Sequence, residues 1–308
     1  MEIHAVTGAF GYTGKYIAQK LLNKGFNVKT LTNSLDRKND FGNKIQVSPF
    51  YFDKPAQLAE SLQGVSVLYN TYWVRFNHRK FRHSEAVENT IKLFKAAKIA
   101  GVGRIVHTSI LKPDKDSPLE YYSGKGILEE ELAATGISYS ILRPGVIFGK
   151  EDILINNIAW MIRNFPVFGM FGNGNYKLQP IFVEDFADLA VEQGFKSSNA
   201  VIDATGPEIF TYKELIKAMS AIMLGKERKV FPLPDEIGLW ISKIVGLIKG
   251  DKLITRQEIK GLKADLLYSD GPPAGKTKLT DWLKQNRDTI GKCYANELKR
   301  RLDRKVAY

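Results

Sequence analysis

The sequence predicts an α/β protein, a Rossmann-like, doubly wound parallel sheet followed by a smaller, mostly helical C-terminal lobe. Three observations predict it. Short apolar runs alternate with amphipathic helical stretches through the first half of the chain. A glycine-rich turn follows the first of those runs and opens the first helix. After about residue 150 the alternation loosens and helical patterns dominate.

Taken in order, His4–Val6 reads as a buried strand and Gly11–Lys24 as a helix with Ile17, Leu21 and Leu22 on its apolar side. Asn27–Leu31 is strand two and Ile45–Phe52 strand three. A short helix, Ala56–Leu62, follows Pro55, which suits the first turn of a helix. Val65–Tyr69 is strand four. His83–Ala100 is a longer helix that turns Ala86, Ile91, Leu93, Phe94 and Ala97 inward. Arg104–His107 is strand five, Tyr122–Ala134 a helix and Ser138–Leu142 strand six. The second half shows an apolar helix at Ile153–Asn164 and a glycine-rich turn over 168–175. Short strands follow at Pro180–Val183 and Val201–Ala204, with a helix between them, and then further helices from Thr211. Residues 1–150 are thus expected to form one domain and 151–308 a second lobe, with the chain returning to the first at about 178–205. Ile237–Ile248 is apolar around most of its circumference. Core packing is expected there, with a subunit contact or a membrane surface as the alternatives.

Bulk properties exclude several classes. The 308 residues are 44% hydrophobic and 25% charged, enough apolar material for a substantial core. The chain opens directly on strand and turn, so a secretory leader is not expected, and no run is long enough to span a bilayer. One cysteine, Cys293, excludes an internal disulfide and fits a cytoplasmic setting. His4, His78, His83 and His107 show no metal-ligand spacing, and His4 and His107 fall inside apolar strands, so no metal is expected. The net charge is +12, with eight Lys/Arg against three Asp/Glu over residues 284–308. No nucleic-acid motif accompanies it, so a solvated basic face is expected and nucleic acid is not.

The sharpest motif is Thr7-Gly8-Ala9-Phe10-Gly11-Tyr12-Thr13-Gly14, at a strand–turn–helix junction. Gly8 permits a tight turn. Gly11 lets the backbone approach a pyrophosphate, and Gly14 permits close helix packing. The helix N-terminus offers N–H groups and partial positive charge to phosphates. The N-terminal domain is therefore expected to bind a nicotinamide dinucleotide, with Phe10 and Tyr12 of the turn against it. An acidic residue after strand two would favour NAD. Asn33 takes that place, with Asp36 three residues late and Arg37 and Lys38 close behind, which points to NADP with NAD as the alternative.

The spacing GxxGxxG resembles the short-chain dehydrogenase/reductase superfamily, in particular its extended and atypical members of the NAD-dependent epimerase/dehydratase type. The resemblance continues in Tyr121-Tyr122-Ser123-Gly124-Lys125, a YxxxK pattern, and in Ser109, twelve residues before Tyr121 at the end of strand five. It extends through Leu142-Arg143-Pro144-Gly145-Val146 and Gln179–Asp185. The stretch Thr280–Leu283 through Tyr294–Leu298 is similar to an atypical subgroup that includes the nucleotide-binding accessory subunit of respiratory complex I.

The resemblance implies an NAD(P)-dependent oxidoreductase or epimerase acting on a small carbonyl or alcohol substrate. Tyr121 would be the acid/base, Ser109 would hold the substrate oxygen, and Lys125 would lower the phenol pKa and bond the nicotinamide ribose. It also implies cofactor contacts at Asp53, Asn70, Thr71 and Pro144. The alternative is a dinucleotide-binding scaffold or redox-sensing subunit without turnover, because members of the subgroup often lose part of the triad.

Overall fold

The computed structural model describes residues 2–307. In chain order the strands are β1 (Ile3–Thr7), β2 (Asn27–Leu31), β3 (Ile45–Ser48), β4 (Val65–Asn70), β5 (Arg104–Thr108), β6 (Ser138–Pro144), β7 (Val146–Phe148), β8 (Val167–Phe171), β9 (Lys177–Leu178), β10 (Pro180–Phe182), β11 (Ala200–Ala204), β12 (Phe210–Thr211) and β13 (Lys229–Leu233). The helices are α1 (Tyr12–Asn23), α2 (Pro55–Glu60), α3 (His83–Ile99), α4 (Glu120–Ala134), α5 (Leu154–Asn164), α6 (Val183–Gly194), α7 (Tyr212–Leu224), α8 (Asp235–Lys249), α9 (Arg256–Lys263), α10 (Leu279–Asn286) and α11 (Glu297–Leu302).

Two compact units divide the chain. The described residues up to Arg143, residues 187–202 and the segment from Arg304 form the first unit. Residues 144–186 and 203–303 form the second.

The first unit is built on a seven-stranded sheet of order β11-β6-β5-β4-β1-β2-β3. The pairs β1–β2, β1–β4, β2–β3, β4–β5 and β5–β6 are parallel. This is the doubly wound arrangement that the alternating pattern predicts. Strand order reverses between β1 and β4, and the crevice beyond their carboxyl ends is where such sheets bind ligands. The strands read as apolar runs because both faces are covered. Leu31, Leu68, Leu93, Phe94, Ile105, Leu128 and Ile141 share one buried cluster. His4 and His107 lie fully buried in their strands. Arg104 is buried too, and its guanidinium donates to Gln193 O at 2.7 Å, Ser140 Oγ at 2.6 Å, Ser198 O at 2.9 Å and Ser138 Oγ. It thereby ties β5 to the residues that lead into β11.

Helix α4 carries two glycines, which helix propensity disfavours. Both are packing positions. A Cβ at Gly124 would meet Val87 Cγ2 at 2.9 Å and the Trp73 ring at 3.0 Å, and one at Gly126 would meet Lys115 N at 2.4 Å. The propensity cost is offset by the close approach of helix to neighbour.

The second unit has its own core, including Phe148, Ile158, Ile162, Leu178, Leu215, Met219, Leu279 and Trp282. It contains three small two-stranded sheets, parallel β7–β10, antiparallel β9–β12 and parallel β8–β13. Asp152 is buried ahead of α5, and its carboxylate accepts from Gly149 N, Ile155 N and Asn156 Nδ2. Burial pushes its pKa up to about 6, against the pull of these bonds. A capping box of Thr211 and Glu214 starts α7. Asp185 accepts from Lys276 N, Thr277 N and Thr277 Oγ1, at 2.6–3.0 Å, and so anchors the loop before α10.

Three expectations are corrected. Strand three ends at Ser48, because Tyr51 turns with φ of 47°. Phe50 and Phe52 leave the strand to stack at 4.6 Å and to meet Tyr72. The region 168–175 is half strand, since β8 runs to Phe171 and only the residues beyond it turn, with Gly172 and Gly174 at positive φ. The expected core packing of Ile237–Ile248 is also wrong. Ile237, Trp240, Ile241, Ile244, Leu247 and Ile248 are 40–83% exposed. The buried residues of α8 are Gly238, Leu239, Ser242 and Gly246. Gly238, Ser242 and Gly246 repeat every fourth residue and form a small-residue stripe on one face. Cβ atoms there would strike Phe171 at 2.4 Å (from 238) and Asp251 O at 2.6 Å (from 246). The helix is seated by its small residues, and the large ones turn outward.

Candidate dinucleotide site

The glycine turn joins β1 to α1 as the motif requires. Gly8 adopts φ of 65°, the left-handed region that side chains disfavour, and its N–H donates to Leu31 O of β2 at 2.9 Å. Gly11 N donates to Gly8 O at 2.8 Å and closes the turn. A Cβ at Gly14 would lie 2.3 Å from Gly8 O, so the first turn of α1 sits directly on the turn's own backbone. Ala9 N donates to Thr30 Oγ1, whose hydroxyl donates to Val6 O. Gly11 caps α1 without a side-chain bond, and the first turn carries no acid. The positive end of the helix dipole therefore favours an anion such as a pyrophosphate, and the residues present fit a dinucleotide.

Beside this turn, side chains at the ends of β1, β4 and β5 form one network. Thr7 Oγ1 donates to Asn70 Oδ1 at 3.0 Å and accepts from Thr71 N at 2.7 Å, and Thr71 Oγ1 donates to Thr7 O at 2.6 Å. Asn70 Nδ2 donates to His107 Nδ1 at 3.0 Å. That bond makes Nδ1 the acceptor and puts the ring proton on Nε2. Burial and the charge of Lys125 hold His107 well below the usual histidine range, so it stays neutral. The structure thus brings Gly8, Gly11, Gly14, Asn70 and Thr71 together at the reversal of strand order.

The other expected cofactor residues are more dispersed. Phe10 is buried and faces Phe41 at 6.3 Å, and Tyr12 opens α1 against Tyr16. Asp53 is exposed, five residues beyond β3. Pro144 ends β6 and belongs to the second unit. Asn33 is exposed after β2, whereas Arg37 is only 7% exposed. The backbone oxygen of Asn33 accepts from Arg304 Nη1 at 3.2 Å, and Lys38 N donates to Lys305 O at 3.0 Å. Nothing in the sequence links residue 304 to residue 33, so these two C-terminal cations could not be read from it.

Ser109, Tyr121 and Lys125 each have partners within the first unit. Ser109 is buried, and its hydroxyl donates to Glu129 Oε1 at 2.5 Å. Glu129 is gripped by Arg143, Nε to Oε1 at 3.0 Å and Nη2 to Oε2 at 2.5 Å. Lys125 is 1% exposed. Its ammonium donates to Thr108 O at 2.6 Å and stands 4.3 Å from the centre of the Trp73 ring. Burial pushes the Lys125 pKa down to about 7, and the charge of Glu129 opposes the fall. Tyr121 is half-buried and meets the rings of Trp73 at 5.5 Å and His83 at 5.7 Å edge-on. Tyr122 is buried. The sequence reading missed Glu129, although it lies one helical turn after Lys125, and it missed the closure of Trp73 over the lysine.

Comparison with known proteins agrees with this architecture. Residues 8–156 match the protein family described as NAD(P)H-binding. The chain is 25% identical over 291 residues to the mitochondrial NADH dehydrogenase [ubiquinone] 1 alpha subcomplex subunit 9 of Arabidopsis thaliana, covering 87% of this chain and 71% of that protein. The rat protein of the same name is 25% identical over 288 residues, covering 88% and 74%. Among solved structures, the Citrobacter sp. triphenylmethane reductase complexed with NADP(H) superposes with a TM-score of 0.76 at 18% identity, over 92% of this chain and 99% of that one. An Escherichia coli NADPH-dependent quinone oxidoreductase complexed with NADPH gives 0.73 at 22% identity, over 92% and 98%. These two likenesses are of fold. No described helix is long and apolar enough to cross a membrane. Residues 8–156 are thus similar to the NAD(P)H-binding family, on a Rossmann-like fold.

Proposed function

We propose that the protein binds NADP(H) and works as a dinucleotide-binding or redox-sensing component without turnover. One observation carries this reading. The two polar groups that would serve a substrate and the nicotinamide ribose are already engaged within the protein, Ser109 with Glu129 and Lys125 with Thr108 O and Trp73. A serine hydroxyl has one proton to donate, and here a carboxylate takes it. A lysine whose pKa is pushed to about 7 is only partly charged at neutral pH, which weakens its hold on a phenolate. The mitochondrial relatives, named as subunits of a larger enzyme, favour the same reading.

The pyrophosphate would lie on the N–H groups of α1, with Gly8, Gly11 and Gly14 keeping side chains away. Asn33, Lys38 and Arg304 would meet the adenosine ribose and its 2′-phosphate. Bound nicotinamide would supply the hydride chemistry. The chain's own residues would orient it beyond Asn70 and Thr71.

A second reading, hydride transfer on a carbonyl or alcohol with Tyr121 as acid/base, is favoured by one observation. Tyr121 is the more exposed of the two neighbouring tyrosines and shares a helical face with Lys125. Titration with NADPH and NADH, followed by a turnover screen on carbonyls, alcohols and quinones, separates the readings. The expected result is NADPH binding with no turnover above background. Turnover that falls by about 10²–10⁴ in Tyr121→Phe, the usual cost of losing an acid/base, would overturn it in favour of the second.

A further inference from the structure

We propose that α8 is a membrane-surface helix whose outward apolar face docks into the interfacial layer of an anionic lipid bilayer. This proposal is independent of what the dinucleotide site does. Six large apolar side chains project from this one helix, Leu247 at 83% exposed, Ile248 at 75%, Trp240 at 67%, Ile237 at 51%, Ile241 at 45% and Ile244 at 40%. They occupy one arc of the helix, opposite the small residues that seat it. The helix rests on the β8–β13 sheet through Gly238 and Phe171, and that sheet has exposed apolar side chains of its own, Val167 at 46% and Phe231 at 49%. A soluble surface rarely carries so dense an apolar cluster without a partner.

Charge selects the partner. The two acids that open α8 are already matched, Asp235 by Lys263 and Glu236 by Arg256, each at 2.9 Å. Lys243 is exposed at the margin of the apolar arc, Lys249 is the last residue of the helix, directly after Leu247 and Ile248 in sequence, and Lys252 is exposed three residues further on. Lys249 leans its ammonium over the Trp160 ring at 4.7 Å. The chain as a whole carries +12. A face of Trp, Leu and Ile bordered by lysine is the pattern of helices that lie on anionic lipid, whereas the cores of protein interfaces are depleted in lysine. Length fixes the orientation. Fifteen residues make a helix of about 22 Å, short of the roughly 30 Å hydrocarbon layer. The helix therefore lies flat, with Trp240 at headgroup depth.

Flotation of the full-length protein with phosphatidylcholine vesicles, and with phosphatidylcholine vesicles containing phosphatidylglycerol, tests this. The wild type should float with the anionic vesicles and much less with the neutral ones. Leu247→Ser with Ile248→Ser, at the two most exposed positions of α8, should lower vesicle affinity about a hundredfold while leaving elution volume, melting midpoint and NADPH affinity unchanged. Vesicle addition should shift the tryptophan emission of the wild type to the blue, and Trp240→Phe should lack that shift, which reads the contact without relying on the double variant. A wild type that stays in solution with both vesicle types overturns the proposal. So does a concentration-dependent dimer that the serine variants dissolve, because a second copy would then cover the face.

Discussion

The ammonium of Lys125 lies 4.3 Å from the centre of the Trp73 ring and donates to Thr108 O, out of reach of water. Burial brings its pKa to about 7, below the ordinary lysine value of about 10.4 that the unfolded chain retains. Between these values the unfolded state binds more protons than the folded one. Stability from this group therefore rises with pH from about 7 to about 10, by up to about 1.4 kcal/mol per unit. Lys125→Met removes the titrating group, so urea unfolding at pH 6.5, 8 and 9.5 should show the wild type gaining on the variant as pH rises. A constant difference between them would mean that the ammonium is hydrated in the folded protein.

Glu129 accepts from both Ser109 and Arg143 and raises the pKa of Lys125 by its charge. Glu129→Gln removes the carboxylate that Arg143 grips with two N–H groups and should cost roughly 1–3 kcal/mol. Ser109→Ala removes the hydroxyl's bond to the same carboxylate but keeps the Glu129–Arg143 pair, and should cost roughly 1.5–3 kcal/mol. Glu129→Gln should also move the alkaline rise in stability to lower pH, because Lys125 then loses the group that favours its charged form. A variant as stable as wild type, with an unshifted rise, would show that this carboxylate neither holds Arg143 nor acts on Lys125.

The glycine turn makes a sharper prediction. At Gly14 a methyl group would meet backbone, Gly8 O at 2.3 Å and Gly8 C at 2.8 Å, and backbone cannot rotate away as a side chain can. Gly14→Ala should cost about 1–3 kcal/mol by overpacking and weaken NADPH binding as the turn shifts. At Gly11 the nearest atom is Gly8 O at 3.2 Å, so Gly11→Val should fold and yet lose most of its NADPH affinity in fluorescence titration. Unchanged affinity in Gly11→Val would place the pyrophosphate elsewhere.

What the sequence revealed, and what it withheld, follows from the range of the interactions involved. The sheet was legible because strand and helix periodicity are local, and the glycine turn because a backbone constraint is written directly in residue type. The helix that carries Lys125 was legible for the same reason, but it starts at Glu120, two residues before the expected Tyr122, and so takes in Tyr121 as well. Trp73 over Lys125 was not, because the contact joins residues far apart in sequence and depends on Gly124 leaving room for the ring. The outward face of α8 was misread because its apolar residues are too many for one face. The pattern then gives no direction, and only the stripe Gly238, Ser242 and Gly246 tells which side packs. Arg304 reaches Asn33 across 271 residues, beyond any local signal.

The contact between Arg304 and Asn33 bears on the choice of cofactor. Asn33 follows β2, where a carboxylate would bond a free ribose hydroxyl and repel a 2′-phosphate. Its side chain is neutral and exposed, Lys38 is exposed nearby, and Arg304 bonds the Asn33 backbone oxygen. Lys29 and Arg37, each four residues from Asn33, are both buried, so the phosphate should be met by Lys38 and Arg304. A charge-assisted bond of this kind contributes roughly 1.5–3 kcal/mol, about ten- to a hundredfold in affinity. Wild type should therefore bind NADPH more tightly than NADH. Asn33→Asp should erase or invert the preference, mostly by weakening NADPH. Arg304→Ala should weaken NADPH by up to tenfold and leave NADH within about twofold, because only the phosphate distinguishes the two ligands. Calorimetric titration of both cofactors against the three proteins measures this. A wild type that prefers NADH would move attention to Asp36, three residues further on, as the group that reads the ribose.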